Sequence, residues 1–248
     1  MKFCLGLLCL FAAISGQEVK AFPDQMSGKN VNAVDAAAGQ KAEPQERTLP
    51  PRDDGDKDPS FAAFRKKLVS AIEHKDLKYL EQICDPDINY SFGGGGGFKG
   101  MIEFWKLRDP DSGFWDKFLS VISRGGVFTE VEGETYFSAP YYFDLFPEDL
   151  DPTEYDLIVS KDVSLRVSPD AGSKEVAKLA YNFVKVDYDK SVPIGDPDDF
   201  KYSWLKVTTL GGKSGYVESA YVDGAFGYRA VFLKHGSKWT LTAFVEGD

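Results

Sequence analysis

From Leu157 to Val222 the chain follows a two-residue rhythm. Val163, Leu165 and Val167 alternate with Asp162, Ser164 and Arg166, the period of strands with one buried face. Ser168-Pro169-Asp170 makes a turn. Val176–Val186 carries Leu179, Phe183 and Val186, and Trp204–Thr208 alternates again. Gly211-Gly212 is a hairpin signal, and Gly215–Val222 supplies the returning strand. Several short strands in about sixty residues leave edges exposed unless the sheet curls onto itself, so a small barrel is the economical solution.

The segment before it reads differently. Asp58 is a good N-cap and Pro59 suits a first helical position; Phe61, Phe64, Leu68, Ala71 and Ile72 then recur at helical spacing. Asp76 caps a second helix with Leu77, Leu80 and Ile83, which Pro86 is expected to end. Asp87–Phe92 reads as a strand. Gly93–Gly97 has the composition of a phosphate-binding loop, but Phe98-Lys99-Gly100 lacks the Gly-Lys-Ser/Thr ending, so a plain connecting loop is the reading. Helices follow over Met101–Leu107 and Phe114–Ile122, stopped by Gly125-Gly126. Val127–Phe146 is β-like, including the run Tyr141-Tyr142-Phe143. The acidic stretch Asp149–Asp156 is the best internal boundary. The fold class expected is α+β: a mostly helical region with strands over residues 58–148, a small all-β barrel over 157–224, and a closing hairpin from Tyr228–Lys234 and Lys238–Val245 within 225–248. That hairpin either completes the first region or extends the barrel.

Residues 1–21 read as a cleaved secretory signal, with Lys2 before the apolar run Phe3–Ile14, too short to span a bilayer. Residues 22–57 are poor in large apolar side chains and read as a disordered linker. The mature protein is expected to be exported, in a periplasm or outside the cell, without a membrane span. Loss of the leader leaves Cys84 as the only thiol, which excludes an intramolecular disulfide. The formal net charge of −10 argues against nucleic acid as a partner, because no basic patch displaces its counterions.

Three blocks in the C-terminal half resemble the bacterial SH3 (SH3b) domain. Asp162-Val163-Ser164-Leu165-Arg166-Val167-Ser168-Pro169 resembles its opening strand and serine-proline turn, and Trp204-Leu205-Lys206-Val207 its central Trp-x-Lys-Val strand. Gly211-Gly212-Lys213-Ser214-Gly215-Tyr216-Val217, followed by Ser219-Ala220-Tyr221-Val222, resembles its closing signature. The resemblance covers about residues 157–222. Asp187–Phe200 departs from it as an enlarged acidic loop, with no EF-hand spacing. The remainder has a weaker resemblance to the α+β group of nuclear transport factor 2, which would make the barrel an insertion before the closing hairpin.

The SH3 resemblance implies ligand binding, with aromatic side chains on a shallow groove that suits extended peptide or peptidoglycan-type ligands. The candidates are Tyr181, Trp204, Tyr216 and Tyr221, with Arg166 for a carboxylate. Each position is equally readable as core, Trp204 above all. Bacterial SH3 modules often accompany cell-wall hydrolases, but the residues do not assemble a hydrolase site. Cys84 precedes Asp85-Pro86 rather than opening a helix, and His74 and His235 are isolated. No catalytic residue, metal site or cofactor is assigned. The alternative is an enzyme or small-ligand protein with a pocket in 58–148 lined by Tyr90, Trp105, Trp115 and Tyr141 and holding an acid such as Asp87.

Overall fold

The computed structural model describes residues 45–91, 96–196 and 200–247. The leader expected over 1–21 lies outside the described residues, as do the linker up to residue 44 and most of the glycine run.

Local signals place the first helices. The Asp58 carboxylate accepts from the N–H groups of Ser60 and Phe61 and so caps α1 (Pro59–Glu73). Asp76 accepts from Tyr79 N and caps α2 (Leu77–Ile83). β1 (Cys84–Asn89) begins earlier than the alternation indicated and runs through Pro86. Its ladder to the last strand is irregular between Cys84 and Asn89, which is where a proline lacking an N–H is tolerated. α3 (Gly97–Trp105) also starts early, taking two glycines into its first turn. α4 (Phe114–Ser123) follows, then β2 (Val127–Val131) and β3 (Glu134–Ala139). The run after Pro140 is a short helix, α5 (Tyr141–Leu145), not a strand. Tyr141 and Tyr142 are both buried, which no alternating strand with one wet face would allow.

The second half contains β4 (Tyr155–Ile158), β5 (Val163–Arg166), β6 (Glu175–Leu179), β7 (Phe183–Pro193), β8 (Tyr202–Thr209), β9 (Ser214–Glu218) and β10 (Val222–Asp223). β11 (Arg229–His235) and β12 (Lys238–Val245) close the chain. The fold class is α+β. One sheet has the order β1-β12-β11-β3-β2; the other has β10-β4-β7-β8-β9-β5-β6. The second sheet is antiparallel and curled, with β6 and β10 at the two ends of the strand order. The final hairpin sits inside the first sheet, with β11 antiparallel to β3. The chain therefore leaves that sheet after β3, builds the barrel, and returns beside the strand it left. The barrel is an insertion.

Three cores hold this arrangement. The first fills the α+β lobe, with Phe61, Leu68 and Ile72 of α1 and Phe114 and Phe118 of α4 against Phe137, Phe232, Leu241 and Phe244. The second fills the barrel, from Ile158, Val163, Leu165, Val184, Leu205, Val207 and Val217. The third joins the two: Val127, Tyr141, Tyr142, Leu150, Leu157 and Phe183, with Leu49, Leu145 and Phe146 packed on them. The acidic stretch expected to be a boundary thus contributes buried Leu150 and is part of a packed joint.

The described end of the expected linker, residues 45–57, is likewise not a free tether. Leu49 N donates to Tyr181 O (2.8 Å), Phe183 N to Arg47 O (3.1 Å), and Asp54 N to Gly126 O (2.8 Å). Arg47 forks onto Asp149 at 2.6 and 3.1 Å, and Glu46 accepts from Thr209 Oγ1 at 2.9 Å. A segment with almost no apolar mass is held by its backbone groups and by charge-assisted pairs, which hydropathy does not register.

Candidate functional site

Register builds the site. Residues directly opposite in an antiparallel ladder share a face. Arg166 of β5 faces Tyr216 of β9, Tyr216 faces Lys206 of β8, and Lys206 faces Asp187 of β7. These four form one row across four strands. Their neighbours Leu165, Val207 and Val217 are buried in the barrel core, so the row lies on the outer face. Two residues along β8 on the same face is Trp204, opposite Glu218.

The row is ordered by its own contacts. Lys206 Nζ lies 4.9 Å from the centroid of the Tyr216 ring, a cation–π pairing. Arg166 Nη1 donates to the Ser173 carbonyl at 2.7 Å, which fixes the guanidinium over the turn after β5. Asp187 accepts from Lys190 Nζ at 2.6 Å; that bond, with Lys206 adding to it, holds the Asp187 carboxyl below its usual range. Arg166, Trp204, Lys206 and Tyr216 are all half-buried, with one side of each packed and the other wet. Trp204 is thus not in the barrel core, despite its central strand: the buried parity of β8 falls on Leu205, Val207 and Thr209.

The other two candidates stand apart. Tyr181 sits in the β6–β7 turn at φ +57°, where its carbonyl accepts from Leu49 and its N–H donates to Ser160. Tyr221 is 40 % exposed in the 3-10 turn Ser219–Tyr221, and its carbonyl accepts from Val159 N. Neither belongs to the cross-strand row. Lys206 and Asp187 do, and they were not among the candidates. Lys206 stands in the quoted Trp-x-Lys-Val block; its position opposite Tyr216 required the register. The enlarged loop is in part strand: β7 runs on to Pro193, and buried Ser191 accepts from Lys206 N and donates to Asp187 O.

Residues 161–223 match the family model of the bacterial SH3 domain. Bacterial SH3 domains are binding modules, often for peptidoglycan. The match spans the row from Arg166 to Tyr216 and about a quarter of the chain. No curated protein and no solved structure matches the chain.

The residues expected to line a pocket in 58–148 are split between two cores rather than gathered round one space. Tyr90 and Trp115 are buried in the first core, Trp105 packs against it, and Tyr141 is buried in the third. Asp87 is exposed on β1. Cys84 is buried, and burial pushes its thiol pKa far upward, away from the thiolate a nucleophile needs. His74 and His235 are exposed, the first as the C-cap of α1. Among the described residues no group of three or more His, Cys, Asp or Glu is placed to hold a metal, and no helix is long and apolar enough to cross a membrane.

Proposed function

We propose that the protein is an exported, non-catalytic binding protein of the cell envelope whose barrel face recognises an extended peptide or peptidoglycan-type strand. The observation that carries this reading is the row Arg166–Tyr216–Lys206–Asp187 with Trp204 beside it. Two cations flank an aromatic ring, and a second ring lies one step along the same face. A peptide strand with carboxylates offers partners for the guanidinium and ammonium, while its apolar and amide surfaces stack on the rings. Sugar rings stack in the same way. The match to a family of binding modules supports the assignment of recognition to this part of the chain. The leader-like residues 1–21 and the acidic balance favour an extracytoplasmic place over a nucleic-acid partner.

The test is co-sedimentation of the purified protein with peptidoglycan sacculi. Tyr216→Ala removes one ring and the seat of Lys206, a loss of about tenfold in affinity, since stacking and cation–π contacts contribute on the order of 1–2 kcal/mol together. Lys206→Ala should weaken binding in a salt-dependent way. Thr208→Ala, exposed on β8 beyond the row, is the control. Equal retention of all three would remove this face from consideration. N-terminal sequencing of protein from fractionated cells checks export; an intact Met1 in the cytoplasm would count against it.

A further inference from the structure

The barrel is joined to the α+β lobe by two chain crossings. One enters through Pro152–Tyr155 into β4; the other leaves through Asp223–Tyr228 into β11. The crossings are neighbours, because β10 pairs with β4 through Val222↔Ile158 and Asp223↔Leu157. Asp156 of β4 and Asp223 of β10 lie at this place. The returning backbone presses on both: a Cβ at Gly224 would collide with the Asp156 carboxylate, and one at Gly227 with that of Asp223. Both acids are half-buried, each with the returning backbone against one side of its carboxylate.

Their partners are unequal. Asp223 pairs with Arg124, the C-cap residue of α4, and accepts from Tyr142 Oη of α5 at 2.9 Å and from Gly224 N at 2.9 Å. Arg124 also donates to Tyr142 Oη at 2.6 Å. The cation near the pair is therefore committed to Asp223. Asp156 accepts from Tyr188 Oη of β7 at 3.4 Å. Asp156 and Tyr188 line a shallow hollow with Lys185 of β7, but Lys185 is paired with Glu154 at 2.9 Å and lies over the Tyr155 ring. Phe226 of the second crossing and Pro152 of the first line it too.

We propose that Asp156 and Asp223 form a proton-operated latch across the two crossings, closed when Asp156 carries a proton and loosened when it is charged. Protonation removes the repulsion between the two acids on neighbouring strands and the desolvation cost of a half-buried anion, and gives Asp156 a proton to donate. Burial first, and the Asp223 charge second, push the Asp156 pKa up to about 6, with the Tyr188 bond opposing. The sign follows from linkage. A carboxyl whose folded pKa is raised contributes stability that is complete below its ordinary value near 4 and is lost as pH rises through about 6. The latch therefore works between mildly acidic and neutral pH.

The experiment uses the full chain. Hydrogen exchange at Leu157, Asp223 and Gly224, corrected for intrinsic rates, is followed from pH 5 to pH 7 beside a carbon-detected titration of the Asp156 carboxyl. Protection at the crossings should fall about tenfold as pH rises, in step with a carboxyl inflection near pH 6. Asp156→Asn, nearly isosteric, should abolish the pH dependence. Tyr188→Phe removes the bond that favours the anion and should move the inflection upward, a second readout if the asparagine variant does not fold. Protection that is flat across this window in the wild type, or a dependence that survives Asp156→Asn, would overturn the latch.

Discussion

Replacing Phe183 with alanine is expected to lower the unfolding free energy by about 3–5 kcal/mol, the range for a fully buried phenylalanine whose site cannot collapse. Phe183 opens β7 and is 1 % exposed. Its ring meets Phe146 edge-on at 5.3 Å, and its backbone pairs with Leu157 on one side and donates to Arg47 O on the other. The cavity would open where the barrel, the joint after α5 and the strap 45–57 meet, each anchored from a different direction, so closing it requires all three to move. Because the third core ties the lobes together, wild type and variant should each unfold in a single transition. Urea melts followed by tryptophan fluorescence, which reports mainly the α+β lobe through Trp105, Trp115 and Trp239, should coincide with melts followed by β-sheet dichroism. Two separated transitions, with only one displaced by the substitution, would show that the barrel folds as an independent bead.

The same core explains where sequence reading succeeded and stopped. Caps are local: Asp58 and Asp76 accept from N–H groups two or three residues away, and Pro59 suits the first helical position by its own fixed φ, so all three are legible at once. β5, β8 and β9 were legible because their buried residues recur at every second position, and the three motif blocks carried the family resemblance. The joint was not legible. Leu49, Leu150 and Phe183 are far apart in sequence, and only the assembled fold makes them one cluster. The strap failed for a related reason, since Glu46 reaches Thr209 and Arg47 reaches Asp149 across more than a hundred residues. The site was half legible. Arg166, Trp204 and Tyr216 were named as candidates by residue type and motif. Lys206 and Asp187 share their row only through register, while Tyr181 stands in a turn and Tyr221 in a 3-10 segment, outside that row.

Asp58→Ala is expected to cost about 2–4 kcal/mol, because one carboxylate serves two structures. Through Oδ1 it caps α1, accepting from Ser60 N at 2.7 Å, Phe61 N at 3.2 Å and Ser60 Oγ at 2.6 Å. Through Oδ2 it accepts from Lys234 of β11 at 2.5 Å, and Ser60 Oγ in turn accepts from the Trp239 indole at 3.0 Å. The cap that starts the first helix thereby pins that helix to the last hairpin, 176 residues away. Loss of the cap is worth about 1 kcal/mol; the rest is the half-buried Lys234 ammonium left without its anion over the Trp239 ring. Asp58→Asn separates the two, since an amide oxygen still caps but cannot neutralise the lysine, and should cost roughly half as much. The bond to Lys234 and then that to Ser60 hold the Asp58 carboxyl well below the usual aspartate range. A depressed folded pKa contributes stability that is full above about pH 4 and fades as pH falls below it. Wild type should therefore lose stability between pH 4 and pH 2 more steeply than Asp58→Asn, opposite in sign to the Asp156 dependence near pH 6. Equal acid slopes in the two proteins would mean that the Lys234 pair contributes nothing, and that the helix and hairpin are held by the first core alone.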